Sequence, residues 1–226
     1  MIRAVLFDMG GTLDGDGVHW LERFLMLYRS FFIELPRETI RAAFDEAERL
    51  SASDEAMASA SFTQMIELHV KWQLDHLGLT SSNLARNLVK GFIAPVRAAA
   101  AANARLLAAL AQRGFELGVV SNGCGNVDRL CDDFGYRPFL SLIVDSRRVG
   151  LFKPDPAIFL HASEKIAVPP AETMMVGDSF ERDIVPAKQI GMKTAWLEGE
   201  TKRECPDVSL VDLRLRHLAE LADYLP

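Results

Sequence analysis

"AVLFDMGGTLD", residues 4–14, is an apolar run that ends at Asp8 and turns at once into two glycines and a threonine. Four consecutive apolar residues predict a short strand that is covered on both faces, as strands of parallel sheets are. Gly10 and Gly11 permit a tight turn and close backbone approach. The stretch therefore predicts a buried strand whose carboxyl end presents a carboxylate to a loop.

The rest of the chain repeats this strand pattern between helical segments. Short apolar runs occupy residues 2–8, 115–121, 141–145, 173–178 and 193–197. Helix-forming patterns occupy residues 98–114, 127–135, 156–166 and 183–191. Strands that alternate with helices predict an α/β fold with a doubly wound parallel sheet.

Residues 16–95 interrupt the alternation, because they contain no strand-like run. Helical patterns cover 18–33, 36–50, 62–77 and 81–92, and Pro36, Gly78 and the polar stretch 51–61 separate them. We expect an all-α insertion at 16–95, and a core domain made of 1–15 and 96–226.

Composition limits the classes of function. The 226 residues, 49% hydrophobic and 25% charged, suffice for one full core plus an insertion. A net charge of −6 provides no basic surface for nucleic acid, although a small phosphorylated metabolite can still bind locally. Chains of this composition are expected as monomers or homodimers.

Two further patterns bear on location. Cys124, Cys131 and Cys205 have no metal-ligand spacing, which predicts free thiols and a cytoplasmic protein. The longest apolar stretch, around residues 98–111, is interrupted by Asn103 and Arg105 and is too short to span a bilayer. We therefore expect no membrane partner.

Ligands of open parallel sheets bind beyond the carboxyl ends of the strands. The polar residues at those predicted ends are Asp8, Ser121 with Asn122, Asp145, Asp178 and Glu198, and Lys153 follows the third strand. These side chains are the candidates for chemistry.

Four segments resemble, in the expected order, the four motifs of the haloacid dehalogenase superfamily: "FDMGGTLD" (7–14), "VVSNG" (119–123), "KPDP" (153–156) and "VGDSFERD" (176–183). The resemblance covers essentially the whole chain, and the helical insertion lies where many of these proteins carry a cap domain. It implies a Rossmann-like core, a mobile helical cap and, most often, a magnesium-dependent phosphatase that works through a phosphoaspartate.

The resemblance assigns roles to the acidic strand ends. Asp8 is the expected nucleophile, since an ionised carboxylate in line with phosphorus can form an acyl-phosphate that water hydrolyses. Mg²⁺ would neutralise the carboxylate and the phosphate, with Asp8, Asp178 and the carbonyl of Gly10 as ligands. Asp183 is expected to support this site, and a helix N-cap is its alternative role.

The remaining motif residues are expected to bind the phosphate. Thr12 and Ser121 would donate hydroxyl hydrogen bonds to its oxygens, and the backbone N–H groups of Met9, Gly10 and Asn122 would line the same pocket. Gly11 is also expected to bind the substrate. Lys153 would offset the charge of the nucleophile and the phosphate.

One position departs from the family pattern. The residue two after the nucleophile is typically a second aspartate, which protonates the leaving oxygen, and here it is Gly10. Losing that proton transfer is worth roughly 10²–10⁴ in rate. The enzyme would then use activated leaving groups such as acyl, anomeric or aryl phosphates, or Asp14, Asp16 or His19 would substitute, or activity would be vestigial.

The predicted function is a Mg²⁺-dependent phosphomonoesterase that acts on a small phosphorylated metabolite. One alternative is a metal-independent 2-haloacid dehalogenase, in which Gly10 would not matter; Asp178 argues against it, because two facing carboxylates without a cation raise the pKa of one of them. The other is a catalytically weak protein that binds a phosphorylated ligand and serves regulation.

Overall fold

The sheet sets the position of the site. The computed structural model describes residues 1–31, 33–200 and 204–225. Within them, six parallel strands form one sheet in the order β3-β2-β1-β4-β5-β6. The strands are β1 (Ala4–Phe7), β2 (Glu116–Ser121), β3 (Leu142–Asp145), β4 (Thr173–Gly177), β5 (Lys193–Leu197) and β6 (Leu213–Leu215). The winding direction reverses between β1 and β4, so the crevice for a ligand opens at their carboxyl ends.

The predicted α/β fold with a doubly wound parallel sheet is confirmed, and all five predicted strands are present. The sequence missed β6, which pairs with β5 at the sheet edge. Its three residues, "LRL", carry a charge in the middle, so they give no apolar run to detect.

Helices cover both faces of the sheet and form the insertion. In chain order they are α1 (Trp20–Ser30), α2 (Arg37–Ser53), α3 (Phe62–His76), α4 (Ser82–Gln112), α5 (Val127–Asp133), α6 (Ser146–Val149), α7 (Ala157–Ile166), α8 (Val185–Gln189) and α9 (Leu221–Tyr224). Tight helical turns, Met9–Leu13 and Phe180–Ile184, follow β1 and β4 directly. The first turn contains Gly10, Gly11 and Thr12 and follows Asp8, and the second contains Asp183 and follows Asp178.

The helices predicted at 81–92 and 98–114 are one continuous helix, α4. Pro95 lies inside it, where proline removes a backbone hydrogen bond to Gly91. Because Pro95 is exposed, that loss falls on the solvent side of the helix. The boundary expected at residues 95/96 therefore lies within a single element that runs from the cap, residues 16–95, into the core.

Cap and core share one apolar cluster. It contains Phe24 and Phe44 of the cap, Val5 and Val119 of the sheet, and the buried stripe of α4. By length and composition, α4 is the one helix of the described residues that could cross a membrane. Its buried stripe packs against cap and core, as the central helix of a globular protein does.

The linker between α2 and α3, residues 54–61, and the first residue of α3 contact the core. Three hydrogen bonds join them to core side chains: Arg147 Nη1 to Asp54 O (2.9 Å), Asn126 Nδ2 to Ala60 O (3.1 Å) and Phe62 N to Asp133 Oδ2 (2.7 Å). The polar stretch that sequence reasoning treated as a spacer therefore holds the cap over the carboxyl ends of the strands.

Candidate active site

The turn after β1 places Asp8 at the base of a cavity. Asp8 is extended, and Gly11 adopts a φ of +85° that side chains other than glycine rarely adopt. A Cβ on Gly11 would lie 2.7 Å from Asp178 Oδ2, so glycine here also makes room for that carboxylate. The fully buried Thr12 hydroxyl lies 3.3 Å from both Asp8 Oδ2 and Asp178 Oδ1.

The turn after β4 supplies the other two carboxylates. A Cβ on Gly177 would come within 2.3 Å of Asp183 Oδ2, so the glycine leaves space for Asp183. The backbone N–H of Ser179 donates to the same oxygen at 3.1 Å. One carboxylate oxygen from each of Asp8, Asp178 and Asp183 lies within 4.8 Å of the others, and all three residues are buried.

Lys153 is the cation that faces these acids. Its Nζ lies 2.6 Å from Asp8 Oδ1 and 2.7 Å from Asp183 Oδ1, and its side chain is 3% exposed. Burial lowers the pKa of Lys153, but Asp183 and Asp8 outweigh burial and hold it above its ordinary value. Burial raises the pKa of Asp183, and the ammonium opposes that rise. The lysine therefore stays charged and links two of the acids.

Asn122 positions Lys153. Its amide oxygen accepts from the Lys153 backbone N–H at 2.8 Å, and its amide nitrogen donates to the Lys153 carbonyl at 2.9 Å. This pair of bonds joins the end of β2 to the loop before α7. Ser121 and Asn122 both line the cavity, as do Met9 and Gly10.

Two of the expected phosphate contacts are corrected by the geometry. The Thr12 hydroxyl is enclosed between Asp8 and Asp178, so it orients carboxylates and does not line the cavity. The Gly11 N–H donates to Asp14 Oδ1 at 2.7 Å and is committed to that bond. Both residues stabilise the turn, because the positive φ of Gly11 directs its N–H to Asp14 and the Thr12 hydroxyl to Asp8 and Asp178.

Two other acidic strand ends have structural partners. The Asp145 carboxylate accepts backbone hydrogen bonds from Gly125, Val127 and Arg147, which organises the loop before α5. Glu198 pairs with Arg214 of β6 at the sheet edge. Neither residue lines the cavity.

The structure separates the three candidates for the missing proton donor. The Asp16 carboxylate contacts the backbone N–H of Leu218 at 2.7 Å and the His217 ring at 3.0 Å, so it is directed to the C-terminal segment. Asp14 and His19 both line the cavity. The geometry thus leaves Asp14 and His19 as the two groups near the nucleophile.

Asp14 and His19 differ in their electrostatics. Burial raises the pKa of Asp14 to about 7, although hydrogen bonds from the Gly11 N–H and the Trp20 indole (2.8 Å) oppose the rise. Burial lowers the pKa of His19, and its Nδ1 accepts the Leu21 N–H at 3.2 Å. At neutral pH Asp14 is therefore the group that carries an acidic proton in part of the molecules.

The cavity encloses about 120 Å³, less than the roughly 300 Å³ at which sites for drug-sized ligands begin. Its core wall carries the acids and Lys153. Sequence reasoning missed three of its polar lining residues: Glu48, Asn126 and Arg182. Arg182 could have been found, because it precedes Asp183 in the fourth motif. Glu48 could not, because nothing in the sequence of α2 distinguishes it from the surface residue Glu46.

The donor set fits a magnesium ion. Mg²⁺ is held in proteins by one or two carboxylates with waters. Three buried carboxylates face a single ammonium, and two glycines keep space open beside Asp178 and Asp183. Asp8 and Asp178 would hold the ion with the Gly10 carbonyl, and Asp183 would remain bound to Lys153.

Comparison with known proteins agrees with the geometry at the level of the family. The family model of haloacid dehalogenase-like hydrolases matches residues 2–191. Phosphoserine phosphatase of Thermus thermophilus is 34% identical over 116 residues, which is 51% of this chain and 46% of that protein. Glyceraldehyde 3-phosphate phosphatase of Methanocaldococcus jannaschii is 30% identical over 121 residues, 53% of each chain.

The chain thus spans about half the length of the curated relatives it matches. Among solved structures, a dehalogenase with its intermediate complex superimposes with a TM-score of 0.69 at 18% identity, over 99% of this chain and 97% of the other. Likeness at that identity reports the fold alone.

Proposed function

The chain belongs to the haloacid dehalogenase-like hydrolases, and from this premise we propose that it is a Mg²⁺-dependent phosphatase of a small phosphorylated metabolite, with Asp8 as nucleophile. The observation that best supports this proposal is the excess of negative over positive charge among the acids of the site and Lys153. Three buried carboxylates lie within 4.8 Å of one another and face one lysine. Carboxylates this close repel one another and outnumber the one ammonium, so the arrangement favours a further cation.

The residues divide the work of phosphoryl transfer. Asp8 attacks phosphorus, the P–O bond to the leaving group breaks, and a phosphoaspartate forms that water later hydrolyses. Lys153 holds Asp8 Oδ1 and offsets negative charge, while Thr12 orients the other Asp8 oxygen. When bound, Mg²⁺ supplies Lewis-acid stabilisation of the phosphoryl oxygens.

Proton delivery falls to Asp14. Gly10 has no side chain, and Asp14 lines the same cavity with a pKa of about 7. The acid form would protonate the leaving oxygen, and the carboxylate would then accept a proton from the attacking water. The cap excludes bulk solvent during both steps. A cytoplasmic location and a monomeric or dimeric state remain predictions.

The first experiment measures phosphate release from an aryl phosphate and from an alkyl phosphate, with Mg²⁺ and with a chelator. Wild type should need Mg²⁺, and Asp8→Asn should lower kcat by about 10³-fold or more, because the nucleophile is lost. Asp178→Asn should raise the Mg²⁺ concentration that gives half-maximal activity. Asp45→Asn, which removes an exposed carboxylate of α2, is the matched control.

Three outcomes decide between this proposal and its alternatives. Halide release from a 2-haloacid that needs Asp8 but not Mg²⁺ would establish the dehalogenase. Mg²⁺ and phosphate binding without turnover of either ester would establish the binding protein. Activity on the aryl ester alone would support the phosphatase activity but contradict the role of Asp14 as proton donor.

A further inference from the structure

Glu48 brings a negative charge from the cap into the cavity. It lies on α2, its carboxylate lines the cavity that contains Asp8 and Lys153, and its side chain is 51% exposed. It is therefore accessible to a ligand. Nothing in the phosphoryl-transfer chemistry described above uses it.

A buried polar chain fixes the position of this carboxylate. Glu48 Oε1 lies 2.9 Å from Nε2 of His69, whose side chain is fully buried. His69 Nδ1 lies 2.8 Å from Gln73 Nε2, and Gln73 Oε1 accepts the Tyr28 hydroxyl at 3.3 Å. An amide nitrogen only donates, so Nδ1 is the acceptor and Nε2 carries the proton that binds Glu48.

The hydrogen-bonded side chains from Tyr28 to Glu48 pass through an aromatic part of the cap interior. The imidazole stacks on Phe24 at 5.4 Å between centroids and also contacts Phe44 (5.1 Å) and Trp20 (6.0 Å). Polar groups among aromatic rings destabilise a fold unless each finds a partner. Here the partners run in series from Tyr28 to Glu48, so the aromatic core of the cap holds one carboxylate at the cavity wall.

Charge determines what this carboxylate can meet. The phosphate end of a substrate must lie at Asp8 and Lys153, and a carboxylate beside a phosphate would repel it. Glu48 therefore faces the leaving group. Burial raises the pKa of Glu48, but the hydrogen bond from His69, together with the electrostatic effects of His69, His19 and Arg182, outweighs burial and keeps the pKa below its ordinary value.

Among the described residues, Glu48 forms no ion pair with lysine or arginine. Arg182, which lines the same cavity, acts on Glu48 through its charge without contacting it in an ion pair. A fixed, ionised and accessible carboxylate is complementary to a cation that donates hydrogen bonds.

Building on the proposed phosphatase function, we propose that Glu48 binds a protonated amine on the leaving group, so that the preferred substrates are phosphate monoesters of small amino alcohols. The juxtaposition that carries this is a carboxylate of the cap, fixed by His69, across the cavity from the nucleophile. Arg182 at the same cavity provides a place for a further anionic group on such a substrate.

The experiment compares three esters of equal size: 2-aminoethyl phosphate, 2-hydroxyethyl phosphate and propyl phosphate. Their kcat/KM is measured, or, where turnover is slow, their inhibition constants against hydrolysis of an aryl phosphate. Wild type should prefer the amine over the propyl ester by about tenfold or more, and Glu48→Gln should remove most of that preference. Hydrolysis of the aryl phosphate by the surface variant Glu46→Gln should stay within about twofold of wild type.

Two further variants complete the design. Glu46 lies on the same helix as Glu48 and its carboxylate pairs with Arg49 at the surface. Glu46→Gln should therefore keep the wild-type preference for the amine ester. His69→Phe keeps an aromatic ring in the stack but removes the donor to Glu48. It should lower the amine preference while leaving aryl phosphate hydrolysis active.

Equal kinetics for the three esters in wild type, or an amine preference that survives in Glu48→Gln, would overturn the inference. Both results require an active phosphatase. Absence of phosphate release from the aryl ester with Mg²⁺ would instead contradict the proposed function, so the two failures are distinguishable.

Discussion

At the residue scale, the main feature of this protein is Asp14, a buried acid that lines the same cavity as Gly10. The turn Met9–Leu13 is closed by Asp14, whose carboxylate accepts hydrogen bonds from Gly11 and Trp20. The same carboxylate lines the cavity. One acid thus both shapes the nucleophile turn and lies near the reacting centre.

The pKa of Asp14 makes stability depend on pH. The folded protein has a pKa of about 7 at this carboxyl, against 3.8 for the free group. Between those values the folded state binds a proton that the unfolded state does not, so stability falls as pH rises through that window. Asp14→Asn is neutral at every pH and escapes this loss.

We therefore expect the free energy of unfolding of Asp14→Asn, relative to wild type, to increase by about 2–3 kcal/mol between pH 5 and pH 8. Urea unfolding at a series of pH values measures it. Asp45→Asn, which changes an exposed acid, should show a nearly constant difference. A constant difference for Asp14→Asn as well would mean that the carboxyl is ionised throughout.

At the scale of elements, hydrogen bonds from core side chains to the linker 54–61 help to hold the cap on the core. Arg147 donates to the Asp54 carbonyl of the linker at 2.9 Å and to the Cys124 carbonyl of the core at 3.0 Å. Its neighbour Arg148 bonds only within the core, to Gly125 and Asp128. The two arginines therefore form a matched pair for a test of cap closure.

Arg147→Met should weaken closure, because a hydrogen bond to a charged group contributes about 1.5–3 kcal/mol where it is shielded from water. Limited proteolysis should cut within 51–61 about 10- to 150-fold faster, and KM should rise more than kcat falls. Arg148→Met should leave both unchanged. Equal protease sensitivity of the two variants would show that Arg147 does not hold the linker.

At the scale of the whole molecule, the proposed Mg²⁺ site would couple metal binding to folding. A ligand that binds only the folded state stabilises it by about 2.7 kcal/mol at a concentration 100 times its Kd. For a chain of this size, that corresponds to a Tm increase of about 5–10 °C. Removing Mg²⁺ with a chelator should reverse the increase.

Thermal unfolding with and without Mg²⁺, at matched ionic strength, measures this coupling. Asp178→Asn should lose most of the Tm increase, and Asp45→Asn should keep it. A Tm that Mg²⁺ does not change in wild type would contradict the metal site, and the charge surplus of the three acids would then need another cation.

The predictions from sequence were accurate where a feature depends on neighbours along the chain. Asp8 lies at the end of a buried strand because "AVLF" is apolar and Gly10 and Gly11 follow. The break expected near residue 95 was wrong for α4, because a proline on the exposed side removes only one bond from a helix whose opposite face is buried in two regions. The strand β6 was missed, since its pairing with β5 comes from the sheet.

Contacts between distant segments could not be predicted in the same way. Thr12 was expected to bind phosphate, and its hydroxyl lies instead between Asp8 and an acid 166 residues away. No local sequence pattern predicted that Glu48 lines the cavity, because its place there depends on the position of α2 above the ends of β1 and β4. Asp16 was a candidate proton donor from the sequence, but its carboxylate is bound to the C-terminal segment, which folds back onto it.

The sequence by itself determined the alternation of strands and helices, the family and the identity of the groups at the strand ends, because apolar period, turn residues and short motifs are local properties. Only the tertiary structure decided which carboxylates meet, that Lys153 bridges two of them, that Asp14 is buried with a raised pKa, and that Glu48 lines the cavity that contains Asp8. Those outcomes depend on burial and on distances across the fold, and electrostatic interactions are set by such distances and by the exclusion of water.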